Sequence, residues 1–163
     1  MILEKLDKDE LLRVQLIAKA TWPDTFKEIL QPEQIEYMIE WMYNLKELSS
    51  QLAKGHQFYC LSHLGQDIGF IGFELNYPLQ GQVKLHKIYV LPSSQGIGAG
   101  RVLLGKVVEI AKENKFSKLF LNVNKFNSAI DFYLKHDFKI ISEQVIDIGN
   151  GFVMDDYVMV KTL

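Results

Sequence analysis

Ile88-Tyr89-Val90-Leu91-Pro92-Ser93-Ser94-Gln95-Gly96-Ile97-Gly98-Ala99-Gly100-Arg101 is the stretch on which the reading of this chain turns. An apolar run stops at a proline, crosses closely spaced glycines and enters a segment of helical periodicity. Glycine adopts φ above zero and lets backbone amides approach a ligand closely. The unpaired N–H groups and the positive end of a helix favour an anion at such a place. The physics of the segment therefore points to phosphate or pyrophosphate held between a strand and a helix.

The elements on either side follow from periodicity. Downstream, a helix is expected from about Gly98 to Asn114, then a short buried strand Leu119–Val123 and a helix Asn127–His136. Two strands, Phe138–Asp147 and Phe152–Lys161, close the chain around Gly149-Asn150-Gly151. Upstream, the strand Gln82–Val90 is preceded by a hairpin, Phe58–His63 and Ile68–Leu75, turning at Gly65-Gln66. Before these, Asp7-Lys8-Asp9-Glu10 reads as a capping signal for a helix from about Asp9 to Ala20, ending before Trp22-Pro23. A second helix starts at Pro32 with the apolar stripe Ile35, Met38, Ile39 and Met42, read as core, and Leu45–Lys54 offers a short third helix. An antiparallel start followed by strand, helix, strand, helix, strand is a mixed α/β (α+β) sheet with a crossover in its middle.

Three phosphate-binding templates compete for the glycine-rich turn. A dinucleotide-binding G-x-G-x-x-G beginning at Gly96 and Gly98 has Arg101 in its third position and lacks the acid expected about twenty residues on. Gly100 to Val107 nearly matches a P-loop but places Val107 where a hydroxyl should hold magnesium. The third template is Gln95-x-x-Gly98-x-Gly100, followed by Leu119–Val123, Asn127, Ala129, Phe132-Tyr133 and Phe138. This combination resembles the GNAT superfamily of acetyl-CoA-dependent N-acetyltransferases over about Gln82 to Phe138. One departure is Asp137, where the family usually has glycine; aspartate tolerates the left-handed conformation that ends a helix.

The resemblance implies a largely antiparallel central sheet of six to seven strands with flanking helices and a parallel cofactor-strand crossover, in one domain over residues 1–163. It implies acceptor-side helices at about 9–54 and an acetyl-CoA-binding core at about 82–138. The backbones of Ile88, Tyr89 and Val90 would hold pantetheine, and Gln95, Gly96, Ile97, Gly98, Ala99, Gly100 and Arg101 would surround the pyrophosphate. Asn127 would meet the cofactor from the opposite side, with Lys125 or Lys135 reaching the adenosine phosphate. Acetyl-CoA is the implied co-substrate, with no metal.

Acetyl transfer to an amine needs a neutral amine, a polarised thioester carbonyl and a proton for the departing thiolate. Tyr133 matches the family tyrosine assigned to that protonation, and a phenol with a reference pKa of ~10 is a reasonable donor. The competing role for Tyr133 is packing beside Phe132 and Ile130. For the base, strand alternation places Lys84, His86, Ile88 and Val90 on one face, so His86 is one candidate and Glu74, on the preceding strand, the other. His56, His63 and His136 show no ligand spacing, and Cys60 reads as a small buried side chain.

Composition narrows the function classes. Forty-eight per cent hydrophobic and 23% charged residues in 163 describe a globular chain with a sizeable core. A single cysteine excludes a disulfide framework and a four-thiolate zinc site, and no apolar run is long enough to span a membrane. Net charge of −2 argues against nucleic acid as partner. The charged N-terminal residues resemble no signal or transit peptide, so a soluble, cytoplasmic monomer or homodimer is expected. Six acids against two bases between Asp24 and Glu47 contrast with ten bases against four acids between Lys84 and Lys139. That asymmetry suits a basic cofactor half and an acidic half near a cationic acceptor. The stretch Thr25–Tyr43 is similar to bacterial diamine and polyamine acetyltransferases. The expected activity is acetylation of a small primary amine. The alternatives are a non-catalytic acyl-CoA-binding or sensing domain and a protein or peptide N-acetyltransferase.

Overall fold

A computed structural model describes residues Met1–Leu163. Seven strands form one sheet in the order β1-β2-β3-β4-β5-β7-β6. They are β1 (Ile2–Lys5), β2 (His56–His63), β3 (Gln66–Leu75), β4 (Gln82–Val90), β5 (Lys118–Asn124), β6 (Lys139–Gly149) and β7 (Phe152–Thr162). All neighbours are antiparallel except β4 and β5, which a crossover through α4 (Ala99–Glu113) joins in parallel. The remaining helices are α1 (Leu11–Phe26), α2 (Pro32–Tyr43), α3 (Leu45–Ala53) and α5 (Ala129–Lys135).

Each face of the sheet has its own core. On one face α4 buries Leu103, Leu104 and Val107 against Ile71, Phe73, Leu85 and Leu121, and α5 adds Tyr133. On the other face α1, α2 and α3 bury Val14, Trp22, Phe26, Met38 and Leu48 against Phe58, Cys60 and Phe70. Period-two alternation along β2 sends Phe58 and Cys60 to one core and Tyr59 and Leu61 to the other.

Three sequence expectations change. The first helix runs through Trp22-Pro23 to Phe26. Trp22 and Phe26 are both buried, with ring centroids 4.4 Å apart, so tertiary packing carries the helix past a proline that local propensity would stop at. The strand β1 has no counterpart in the sequence reading. It is four residues long and largely exposed, and it is pinned by Arg13, whose guanidinium pairs with Asp67 at 2.8 Å and Glu4 at 3.0 Å. The third change concerns β4. Gly72 pairs with Lys87 but Phe73 pairs with Leu85, which makes His86 the extra residue of a β-bulge. Leu85, Ile88 and Val90 consequently face the α4 core, while Lys84, His86, Lys87 and Tyr89 face α1–α3. The single face of Lys84, His86, Ile88 and Val90 expected from unbroken alternation does not exist.

The bulge also ends the pairing with β5. Only Gln82–Leu85 pair with Lys118–Leu121. Beyond that point β5 stays with β7 through Asn124↔Asp156, and β4 leans away. The wedge between them opens through the sheet.

Asp137 has φ of 65° and ends α5 in the left-handed conformation, as anticipated for a residue standing in for glycine. The backbone closes there with Phe138 N–H donating to the Tyr133 carbonyl at 3.1 Å.

Close approach of strands makes Gly69 intolerant of a side chain. A Cβ there would sit 2.8 Å from the Tyr89 carbonyl oxygen, in the wall of the wedge. Gly69→Ala is expected to destabilise the fold by about 1–3 kcal/mol, read as a lower urea midpoint at unchanged slope. An unchanged midpoint would show that β3 and β4 can separate without cost.

Candidate functional site

The wedge between β4 and β5 opens into a cleft of about 1330 Å³ that reaches both faces of the sheet. Of the residues assigned from sequence, Ile88, Tyr89, Val90, Gln95, Gly96, Gly98, Ala99, Gly100, Arg101, Asn127, Tyr133 and His86 line it. Ile97 does not; its side chain is 47% exposed and points away. Glu74 stands behind His86 rather than in the wall.

The glycine-rich turn is built to receive an anion. Gly96 and Gly98 have φ of 81° and 88°, and a Cβ on either would meet nothing within 4 Å. Gly98 is the N-cap of α4, and the Val102 amide is the first to close onto it, at 3.1 Å. The six amides from Gly96 to Arg101 donate to no backbone carbonyl. Six free donors at the positive end of a fifteen-residue helix fit a pyrophosphate. Gly100 has a different constraint, since its Cβ would lie 3.4 Å from the Phe132 ring on α5. Of the two lysines considered for a further phosphate, Lys125 is held by Glu143 at 2.7 Å and Asp155 at 2.8 Å. Lys135 lines the cleft. Asn127 has its Oδ1 committed to the Ala129 amide at 2.9 Å, which leaves its NH₂ as the group it can offer a ligand.

Tyr133 is 6% exposed and stacked edge-on against Phe132 and Phe138, at 5.4 and 5.6 Å. Burial, with a smaller contribution from Tyr89, pushes its phenol well above the usual range. It stays protonated at any physiological pH, as a proton donor must.

On the other face, the His86 Nε2 lies 3.2 Å from the Glu74 Oε2, and the His56 Nε2 lies 3.3 Å from the same oxygen. The two imidazoles stack at 4.5 Å. His56 was given no role by its spacing; it reaches the cluster because β2 pairs it directly with Glu74. Burial, with the charges of His56, Lys87 and Lys84, pushes His86 down to about 3. Burial, then Lys87, brings His56 to about 4, and burial raises Glu74 above the usual carboxylate value. These three ligand-type side chains gather closely enough to hold a cation, a grouping not visible in the sequence. The Glu74 carboxylate hydrogen-bonds with the His86 ring, and the stacked His56 ring lies against the same oxygen. Lys87, buried over the Tyr43 ring at 5.5 Å, is itself pushed down to about 8 by burial.

Helices α1 and α2 wall this face with Trp22, Phe26, Met38, Trp41 and Met42. Met38 is therefore both core, as expected, and cleft wall. The acidic run from Asp24 to Glu47 contributes only Asp24 to the lining; Glu33, Glu36 and Glu40 are exposed on the outside of α2. The cleft contains a second acid, Asp156 of β7, which no spacing rule marks inside a strand. Cys60 is buried and its thiol pushed up to about 12, in keeping with a packing role. No helix is long and apolar enough to cross a membrane.

Comparison with known proteins agrees with this geometry. The family model for the acetyltransferase (GNAT) family matches residues 15–138. The [ribosomal protein bS18]-alanine N-acetyltransferase of Haemophilus influenzae is 29% identical over 113 residues, covering 69% of this chain and 74% of its own length. The spermidine N(1)-acetyltransferase of Thermoplasma acidophilum is 25% identical over 156 residues, 94% of each chain. A crystal structure of the PaiA N-acetyltransferase from Thermoplasma acidophilum in complex with coenzyme A superposes with a TM-score of 0.83 over all of both chains, at 23% identity.

The depressed histidines give a pH signature. Free imidazoles bind a proton near pH ~6.5, so in the acid range the unfolded chain holds more protons than the folded one. Stability should fall as pH drops below ~6.5, and His56→Gln and His86→Gln should each remove part of that loss. Ring-proton NMR should show both imidazoles neutral down to about pH 5. A midpoint near 6.5 on either ring would contradict the burial argument.

Proposed function

The chain belongs to the GNAT acetyltransferase family, and from that membership we propose that it transfers the acetyl group of acetyl-CoA to a primary amine of a small molecule, with diamines or polyamines as the acceptor class. The row of free amides from Gly96 to Arg101 at the mouth of a cleft that also contains Tyr133 carries this reading. The spermidine-acetylating relative supports the acceptor class, and the coenzyme A bound to the PaiA enzyme supports the co-substrate.

Bound acetyl-CoA would supply an activated acyl group as a thioester. The amides of Gly96, Gly98, Ala99, Gly100 and Arg101 hold the pyrophosphate, and Gln95 flanks it. Strand β4, paired with β3 but free on its β5 side beyond Leu85, offers the backbone of Ile88, Tyr89 and Val90 to the pantetheine as an edge strand would. Asn127 bounds the opposite side. Tyr133 gives its proton to the departing thiolate, a step its permanently protonated phenol suits.

The acceptor must lose a proton. With Nε2–H given to Glu74, the His86 Nδ1 is a free acceptor at the cleft wall. Held by Glu74 and of lowered basicity, His86 receives a hydrogen bond from the neutral amine and orients it, the proton passing on to solvent as the C–N bond forms. His56 packs against the pair, its ring stacked on His86 at 4.5 Å. Release of the coenzyme A thiol with a panel of amines, including a peptide beginning with alanine, tests the activity and its acceptor class. A preference for the peptide would move the reading to protein N-acetylation.

Two variants separate binding from chemistry. Gly98→Val is expected to abolish acetyl-CoA binding by calorimetry in a folded protein, because the side chain fills the space above the free amides and opposes a φ of 88°. Retained affinity would overturn the cofactor assignment. Tyr133→Phe is expected to keep that affinity and lower kcat roughly 100-fold, the scale of a lost general acid. A wild-type rate would leave Tyr133 as a packing residue.

A further inference from the structure

Asp156 is a buried carboxylate that the protein leaves without an ion-pair partner. Only 6% of the residue is exposed, and its Oδ1 is shut off from solvent with no hydrogen-bond donor. No cation lies within ion-pair distance. Lys84, the nearest basic group on the same sheet face, donates its ammonium to the Asn122 Oδ1 instead. Lys125, on the opposite face, pairs with the neighbouring Asp155. A buried charge without a partner is costly, and proteins keep one where a ligand completes it.

The position says which ligand. Asp156 lines the acceptor side of the cleft, paired across the ladder with Asn124, the last residue of β5. It therefore stands one strand, ~5 Å, beyond the β5 edge of the wedge. The His86–Glu74 pair stands on the β4 side of the same wedge. The walls around both are apolar and aromatic, with Met38, Trp41 and Met154 among them, a lining that suits methylenes and an alkylammonium more than a second polar chain. Resting on the acetyltransferase reading above, we infer that Asp156 is the anchor for the distal ammonium of a diamine, holding it while the proximal amine meets the thioester beside His86.

Burial, reinforced by the neighbouring Asp155 and opposed by Lys84 and Asn122, brings the Asp156 carboxyl up to about 6. Around it stand neutral Gln144 from β6, which the ladder pairs with Asp156, the Tyr89 phenol, Lys87 and neutral His86 of β4, and Asp24, which lines the cleft from α1. Protonation below that point removes the charge that the ammonium needs, while the ammonium itself is unaffected. Diamine binding should weaken as pH falls through about 6.

The test uses putrescine, n-butylamine and γ-aminobutyrate, which share a four-carbon chain and carry at its far end an ammonium, a methyl group and a carboxylate. Binding of each to the coenzyme A-saturated protein is measured by calorimetry, and steady-state constants are measured alongside. Asp156→Asn is expected to weaken putrescine binding and raise its KM by about 10- to 100-fold, with kcat nearly unchanged. Butylamine constants, coenzyme A affinity and melting temperature should stay close to wild type. Equal putrescine binding by wild type and variant, no putrescine binding by the wild type, an equal loss for butylamine, or a wild-type preference for γ-aminobutyrate would each overturn the inference. Asp156-dependent putrescine binding without any acetyl transfer would uphold the anchor and overturn the enzymatic reading instead. If the variant does not fold, the wild-type pH series decides: putrescine affinity that holds steady through about pH 6 overturns the proposal.

Discussion

The parting of β4 from β5 is the constraint on which the rest of the site depends. Four residue pairs hold the two strands together, and the extra residue at His86 then turns β4 away while β7 keeps hold of β5. One inserted residue thereby does three things. It opens a passage through an otherwise closed sheet. It leaves the backbone of Ile88 to Val90 without a partner on the β5 side. It also swings His86 onto the face that carries Glu74 and His56. A bulge at a functional site is a re-aiming device, and here it aims at the point where two faces meet.

The two faces divide the chemistry between them. The α4 face presents amide dipoles and a phenol, neutral groups that neither titrate nor demand counter-charge at physiological pH. The α1–α3 face collects ionisable groups under burial: Lys87, His86, His56 and Asp156 are all displaced from their ordinary values, with desolvation as the leading cause in each case. Perturbed groups cluster where proton movement is required. Fixed dipoles suit an anion at the glycine turn, and in the proposed reaction the titrating side chains are kept for the amine.

How much of this was legible in the sequence depends on whether the signal is local. The glycine-rich turn is local: strand, proline, glycines and helix follow one another, and the cradle could be read from Gln95, Gly98 and Gly100 together with Asn127 and Tyr133 downstream. Even the substitution of Asp137 for glycine was readable, because the left-handed position is a property of one residue. The acceptor side was not. His56 joins Glu74 and His86 through strand pairing across thirty positions of chain, and no spacing rule anticipates that. Charge counting pointed to the acids of α2, yet helical phase turns Glu33, Glu36 and Glu40 outward. Asp156 sits in an alternating strand beside Asp155, and only the register tells which of the two faces the cleft. The bulged strand has no glycine or proline of its own at His86, the one hint being Gly72 on the partner strand, and α1 outruns its proline because Trp22 and Phe26 have a core to enter.

The separate cores on the two faces have a consequence for how such a protein can change. Helix α2 is clasped to the closing hairpin, with the Tyr37 hydroxyl donating to the Ile148 carbonyl at 2.8 Å and the Gln34 amide to the Val153 carbonyl at 2.9 Å. This wall of the cleft is thus a unit of α2, β6 and β7, fastened to itself rather than to α4. Replacements at Met38, Trp41 or Met154 alter the shape of that wall without disturbing the packing of Leu103 or Val107 under the glycine turn. Mutations in the two halves should therefore be close to additive in stability. The shape of the cleft on that side can therefore change by small steps while the glycine turn stays as it is, because the sheet insulates one half from the other.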